Sequence, residues 1–434
     1  DDALRFAEVI SRLVQSRGPD IGAHQIEARI GLANEALGFE LAGGQRRAIE
    51  DALRSQVMVV TGGPGTGKTT LIQGLLAALT PDGLDVALAA PTGRAARRLT
   101  ESTGVEASTL HRLLEVDPFT RSFQRDRTRP IEADPVIVDE CSMLDISIAK
   151  SLADALAPDC RLVLVGDVDQ LPSVGPGAVL HDLITSQKLC VTRLDEIHRQ
   201  ASQSSIVRNA HLILAGQPPE SDLRDSGGDF FMIPRVAPTE VIETVVQVVQ
   251  DRLPSRYGFD PLRDIQVLVP THRGSLGTET LNEALMQALV SDSSPARFGF
   301  RVGEKVIQLR NNYDLEIFNG DVGHVRQLLD DGLMVQFGQR TLTIPADQLG
   351  DLKRAYAITV HKSQGSEYPA VVLVLHGQHH LMLQQNLIYT ALTRARRFCV
   401  IVGDPVAVQR AVGRQQAGRR QTLLKHLMLE EIEL

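Results

Sequence analysis

Residues Gly62-Gly63-Pro64-Gly65-Thr66-Gly67-Lys68-Thr69-Thr70 follow the apolar run Val57-Met58-Val59-Val60 and precede Leu71-Ile72-Gln73-Gly74-Leu75-Leu76. A buried strand, a glycine-rich turn and a helix start are what a phosphate-binding loop requires. The glycines let backbone N–H groups curl inward around an anion, where a Cβ would intrude. Lys68 can then reach the β- and γ-phosphates, and Thr69 can place its hydroxyl on Mg²⁺. The spacing predicts a nucleoside triphosphate site running from Gly63 through Thr70.

Such a loop needs carboxylates nearby, and Val136-Ile137-Val138-Asp139-Glu140 supplies them. An apolar strand that ends in two acids presents both at its C-terminal edge, beside the loop. Asp139 is expected to hold Mg²⁺ and Glu140 to polarise the water that attacks the γ-phosphate. Leu164-Val165-Gly166-Asp167-Val168-Asp169-Gln170-Leu171-Pro172 repeats the pattern on another strand. Gln170 is neutral and both donates and accepts, which suits a group that senses the γ-phosphate.

The elements that must position these groups follow from hydrophobic periodicity. Up to about Gly38 the spacing is helical (Leu4, Val9, Ile10, Leu13, then Ile21, Ile26, Ile30, Leu37), as in the tail of a preceding helical domain. Short apolar strands then alternate with amphipathic helices: Val57–Val60, Val86–Ala90, Val136–Val138, Leu162–Val165 and Cys190–Leu194. That pattern means a parallel sheet covered by helices, placed at 39–198. A second α/β unit, 199–298 and 353–434, carries strands at Ile265–Val269, Ala357–Val360, Val371–Leu375 and Phe398–Val402. Between them, 299–352 reads as alternating strands broken by Gly-Asp, Asp-Gly and Gly-Gln turns, a small inserted antiparallel barrel. A shorter insertion at about 114–132, around Asp117–Gln124, reads as a hairpin with a polar turn.

The chain has 434 residues, 43% of them hydrophobic and 23% charged, ordinary for a globular protein of two to four domains. No apolar run approaches the ~20 residues that span a bilayer. Cys141, Cys160, Cys190 and Cys399 form no C-x-x-C pair, which points away from zinc and disulfides and towards a reducing cytoplasm. The chain starts at Asp1 rather than Met, so it is expected to be a piece of something longer. Its net charge of −8 does not exclude a local basic channel. Between Arg94 and Arg129 eight arginines face five carboxylates.

Taken in order, Gln45-Arg46-Arg47-Ala48-Ile49, the phosphate loop, Ala90-Pro91-Thr92-Gly93-Arg94-Ala95-Ala96, Asp139-Glu140, Gly166–Pro172, Leu194-Asp195-Glu196-Ile197-His198-Arg199-Gln200, His361-Lys362-Ser363-Gln364-Gly365-Ser366-Glu367 and Tyr389-Thr390-Ala391-Leu392-Thr393-Arg394-Ala395 resemble the motifs of superfamily 1 helicases. Thr109-Leu110-His111-Arg112-Leu113-Leu114 and Phe318-Asn319-Gly320-Asp321-x-Gly323 narrow the resemblance to the RecD/TraA-like branch. It covers roughly residues 40 to 405.

The resemblance implies two RecA-like parallel-sheet domains in tandem, with a short β-hairpin pin and an SH3-like small β-barrel inserted. It implies an ATP-dependent single-stranded DNA translocase and helicase moving five-prime to three-prime, in DNA repair or recombination, with ATP and Mg²⁺ as cofactors. Gln45 would read adenine, Gln364, Gly365 and Glu367 would line the nucleotide cleft, and Arg199 and Arg394 would be arginine fingers. Taken alone, either arginine fits a surface ion pair as well. Pro91, Thr92, Arg94, Thr109 and His111 on the first domain, and Thr359, His361 and Lys362 on the second, would touch DNA. Either histidine could equally be a buried core residue. Phe119 and Phe123 would form the strand-separating pin, and Phe119, Phe123 and Tyr313 are the exposed aromatic candidates in a chain without Trp. Implied partners are single-stranded DNA and single-strand/duplex junctions, with no membrane; a monomeric motor and a subunit of a RecBCD-like nuclease complex both stay open. So do a non-motor scaffold and an RNA helicase. Cys141 stands where the family more often has Ala or Thr, a near-isosteric change expected to have little effect, with a thiol beside the carboxylates open to oxidation.

Overall fold

The computed structural model describes all residues except 17, 19, 80–82, 84, 118–119, 121, 197–202, 224–226, 291–294, 313, 415–419, 421 and 432–434. Its chain divides into two compact units, Asp1–Ser202 with Gly418–Leu434, and Gln203–Ala417.

The first unit contains β1 (Val57–Gly62), β2 (Ala87–Ala90), β3 (Ala107–Thr109), β4 (Val136–Val138), β5 (Leu162–Gly166) and β6 (Cys190–Leu194). They form one parallel sheet in the order β3-β2-β4-β5-β1-β6. Because strand side chains alternate, each strand feeds two cores. Val57, Val59, Val136, Val138, Leu162 and Leu164 meet one apolar layer. Met58, Val60, Ile137, Val163 and Val165 meet the other.

The helices Asp2–Gln15 and Ala23–Leu37 correct the expectation of a separate helical remnant. Phe6, Ile10 and Leu13 lie in the first of those layers, Ile26, Ile30 and Ala33 in the second. The C-terminal helix Leu424–Glu431 also belongs to this unit, with Leu424 and Met428 buried in the same layer as Phe6 and Ile10. Arg420 ties the segment before it by donating to the carbonyls of Ser173, Gly175 and Gly177 at 2.7–2.9 Å.

Along the second unit run β7 (Phe230–Pro234), β8 (Ile265–Val269), the short hairpin β9 (Ala296–Arg297) and β10 (Phe300–Arg301), β11 (Lys305–Gln308), β12 (Val322–Leu328), β13 (Gly332–Phe337), β14 (Arg340–Pro345), β15 (Leu352–Arg354), β16 (Ala357–Thr359), β17 (Tyr368–Leu375) and β18 (Ala395–Gly403). Its parallel sheet has the order β16-β8-β17-β18-β7. β7 lies at the edge, where a strand ending in Pro234 is tolerated.

The inserted strands form a five-stranded antiparallel sheet, β14-β13-β12-β11-β15, over a core of Val306, Val325, Leu333, Val335, Phe337 and Ile344. It is not closed: β14 and β15 are its two edges. β15 escaped the periodicity because Leu352-Lys353-Arg354 has a single apolar residue; pairing with β11 and the buried Glu304, 2.7 Å from Arg354, make it a strand.

Among the described residues between Leu113 and Gln124, the expected hairpin shows one bridge, Val116 with Phe123, reinforced by Asp117 N–H to the Ser122 carbonyl at 2.8 Å. None of the described helices is long and apolar enough to cross a membrane.

Candidate functional site

The parallel registers set the site. Thr61 is opposite Gly166, and Ala89 and Leu164 are both opposite Val138. The phosphate loop, Pro91–Arg94, Asp139-Glu140 and Asp167–Gln170 therefore all leave the sheet at its C-terminal edge, where ligands of such sheets bind.

In the loop, Gly65 and Gly67 have φ of +73° and +78°, values that favour glycine. A Cβ on Gly62 would stand 2.7 Å from Thr66 Oγ1 and 2.9 Å from Leu194 Cβ, so the loop can seat on β6 only with glycine there. Thr66 Oγ1 donates to the Gly63 carbonyl at 2.8 Å. Lys68 opens the helix Lys68–Leu79, and its Nζ donates to the Gly62 and Gly63 carbonyls at 2.5 and 3.0 Å. Thr69 and Thr70 are half-buried in the first turn. Gln45 is buried, and its Nε2 donates to the Gly67 carbonyl at 3.2 Å. It also caps its own helix through Ala42 N–H, so the amide expected to read adenine supports the phosphate loop.

Asp139 and Glu140 are each 7% exposed. Burial, then the neighbouring Glu140 charge, push the Asp139 carboxyl up to about 6. Asp139 Oδ1 accepts the Glu140 N–H at 2.8 Å. Glu140 has φ of +56°, a left-handed conformation disfavoured for a side chain of this kind and found where function demands it. Its Oε1 lies 3.5 Å from Arg98 Nη2. On the adjacent strand end Gln170 Nε2 donates to Asp167 Oδ2 at 3.2 Å, and Val168 N–H donates to Thr61 Oγ1 at 3.4 Å. Arg98, Asp167 and Thr61 were missed as supports; the only signal for Arg98 is its spacing, four residues after Arg94 in one helix. Cys141 is corrected: it is 1% exposed, donates to the Val138 carbonyl at 3.1 Å, and burial raises its pKa well above the thiol range. A neutral, enclosed thiol is a poor target for oxidation.

Thr92 caps the helix Gly93–Thr103 by accepting the Ala95 N–H at 3.3 Å, and Pro91 and Arg94 are half-exposed beside it. Thr109 caps the next turn through Arg112 N–H. His111 is half-buried with its pKa lowered by burial, and its ring lies 5.7 Å from that of Phe123. Phe123 is thus corrected too: half-buried against the sheet's core, it anchors the hairpin instead of projecting. Phe119, Tyr313 and Arg199 lie outside the described residues.

In the second unit Thr359 is 4% exposed, and its Oγ1 accepts the Lys362 N–H of the turn His361–Ser363 at 3.4 Å. With Lys362 it lines a cavity of about 670 Å³ that also takes in His272, Arg273 and Lys353. His361 is half-buried in that turn. Gln364 is buried and Gly365 has φ of +69°. Glu367 pairs with Arg396 at 2.8 Å. Arg394 is 2% exposed; its Nε and Nη1 donate to the carbonyls of Thr390 and Ser366 at 3.3 and 3.2 Å. It therefore pins the Gln364–Glu367 segment to the helix Gln385–Leu392, a role the sequence did not reveal. Among the described residues, no group of three or more His, Cys, Asp or Glu forms a metal cluster.

Comparison with known proteins fits this geometry. Residues 40–229 match a model of the AAA domain, 281–337 the SH3 domain of ATP-dependent RecD-like DNA helicases, and 354–402 the UvrD-like helicase C-terminal domain. The RecBCD enzyme subunit RecD of Mycolicibacterium smegmatis is 35% identical over 424 residues, covering 90% of this chain and 75% of that one. The chain belongs to the RecD helicase family. Its two parallel-sheet domains are the tandem RecA-like domains of that family, and the inserted sheet is its SH3-like domain. The ATP-dependent RecD2 DNA helicase of Deinococcus radiodurans is 36% identical over 417 residues, 94% of this chain and 54% of that protein. The chain thus spans about half the length of that relative. Among solved structures, the Pif1 helicase from Bacteroides in complex with ADP-AlF3 and ssDNA superposes with a TM-score of 0.51 at 20% identity, covering 84% of this chain and 92% of that one. That likeness is one of fold.

Proposed function

We propose that the protein is an ATP-hydrolysing DNA helicase, a single-stranded DNA translocase with five-prime to three-prime polarity that acts in DNA repair or recombination. The observation that carries it is the gathering of Lys68, Asp139, Glu140 and Gln170 at one edge of one sheet, beside the helix that starts at Thr92. Lys68 neutralises the phosphates, Glu140 polarises the attacking water and Gln170 senses the γ-phosphate. Thr69 and Asp139 would hold Mg²⁺, which supplies charge neutralisation on the phosphate oxygens; two buried neighbouring carboxylates fit a divalent cation. Arg199 and Arg394 are proposed to meet the γ-phosphate. Pro91, Thr92, Arg94, Thr109 and His111, with His361 and Lys362, are proposed to hold the phosphodiester backbone without reading sequence. Four free cysteines suit a reducing cytoplasm.

The relatives named as RecBCD subunits favour a second reading, in which the chain is the motor subunit of a nuclease complex. Unwinding of duplexes with a five-prime or a three-prime single-stranded tail tests both. Activity on the five-prime tail alone, by the purified chain, supports an autonomous motor of the proposed polarity. Activity on the three-prime tail refutes the polarity, and strand-stimulated ATPase without unwinding supports the subunit reading.

A further inference from the structure

Glu140 is held by a residue that belongs to a different functional segment. The helix Gly93–Thr103 starts at the Thr92 cap, in the segment proposed to touch the strand. Arg94 and Arg98 are four residues apart on it, about 6 Å along one face. Its other face packs on the domain, with Ala95, Ala96 and Leu99 buried. At the far side Arg98 Nη2 stands 3.5 Å from Glu140 Oε1. Arg98's side chain is 25% exposed and that of Glu140 only 9%, so the contact lies at the mouth of the buried acid pair.

We propose that Arg98 is a positioning residue that couples strand binding to hydrolysis, a reading that rests on the nucleotide and strand sites proposed above. Without the strand, its guanidinium holds the Glu140 carboxylate and competes with the attacking water for Oε1. A phosphodiester drawn to Thr92 and Arg94 moves the short helix as a rigid element. The contact is already at the outer limit of hydrogen-bond distance, so a shift of about 1 Å opens it and frees the carboxylate to orient water. The left-handed backbone of Glu140 fixes the acid's own position, so the helix is the member of the pair that moves.

The test uses the full chain, with Arg98→Gln and Arg98→Lys variants. Measured are ATPase rates with and without an oligothymidylate, oligothymidylate affinity, and affinity for a fluorescent ATP analogue. Arg98→Gln is expected to raise the strand-free rate about fivefold, the effect of losing one partly exposed charge contact, and to shrink stimulation by the same factor. Both affinities should stay within twofold, and Arg98→Lys should restore tight coupling. A purely structural role would lower both rates together and leave their ratio unchanged, which overturns the proposal. Unchanged strand-free rate and stimulation in Arg98→Gln also overturns it. If the wild-type chain hydrolyses ATP without any strand stimulation, the strand-site reading fails first, and the coupling role fails with it.

Discussion

Replacing Lys68 by Ala separates a chemical role from a structural one, because the structure bounds both. In the folded protein Lys68 Nζ makes two hydrogen bonds, to the Gly62 and Gly63 carbonyls. Each is worth about 0.5–1.5 kcal/mol net, and the side chain is only half-buried, so about 1–2 kcal/mol of stability is at stake. Water can replace the ammonium at both carbonyls. For a domain of this size that corresponds to a melting shift of about 2–4 °C per kcal/mol. The catalytic loss is larger. Removing a preorganised charge aimed at a transferring phosphoryl group is expected to lower turnover about 10²–10³-fold. The assay is strand-stimulated phosphate release at saturating ATP, run beside a thermal melt of the same sample. A variant that melts within 8 °C of wild type and loses at least ~100-fold in rate fits the assignment. A rate within tenfold of wild type refutes the phosphate-loop role. A collapse of the melt shows that Lys68 holds the fold, and refutes the estimate drawn from its two hydrogen bonds.

Other outcomes follow from the same geometry. The Asp139 carboxyl titrates near 6 when folded against about 4 unfolded. Between those values the folded state binds more protons, so stability falls as pH rises, by up to about 3 kcal/mol. Asp139→Asn should flatten that dependence in urea titrations and raise stability at neutral pH while abolishing hydrolysis; an unchanged pH profile would refute the shift. Met428 is fully buried beneath the N-terminal helix, so Met428→Ala should cost about 2–5 kcal/mol, whereas Leu423→Ala, at a site 69% exposed, should cost little. Equal effects in chemical denaturation would show that the C-terminal helix is not part of the first unit's core. Phe119→Ala, which leaves the anchoring Phe123 in place, should spare translocation along single strands and impair duplex separation. Equal loss of both in stopped-flow assays would remove the pin.

Local sequence was enough wherever the chemistry and its support sit within a few residues. Gly62–Thr69 specifies its own backbone path, and Val136–Glu140 is a strand followed by its acids, so both sites were legible, as were the buried parallel strands with their unbroken apolar runs. Tertiary structure decided what depends on partners distant in the chain. The first helix reads as a separate domain until Phe6 and Ile10 meet Met428, more than 400 residues away. β15 has no strand signal of its own and exists because β11 and Glu304 supply its pairing and its counter-charge. Thr359 and Phe123 looked like surface contacts because their types allow it; burial of the one and the packing of the other against His111 and the sheet's core turn each towards the protein. Residue type and spacing fix which groups can do chemistry. Which of them face water, and which hold another in place, is set by packing that no local window contains.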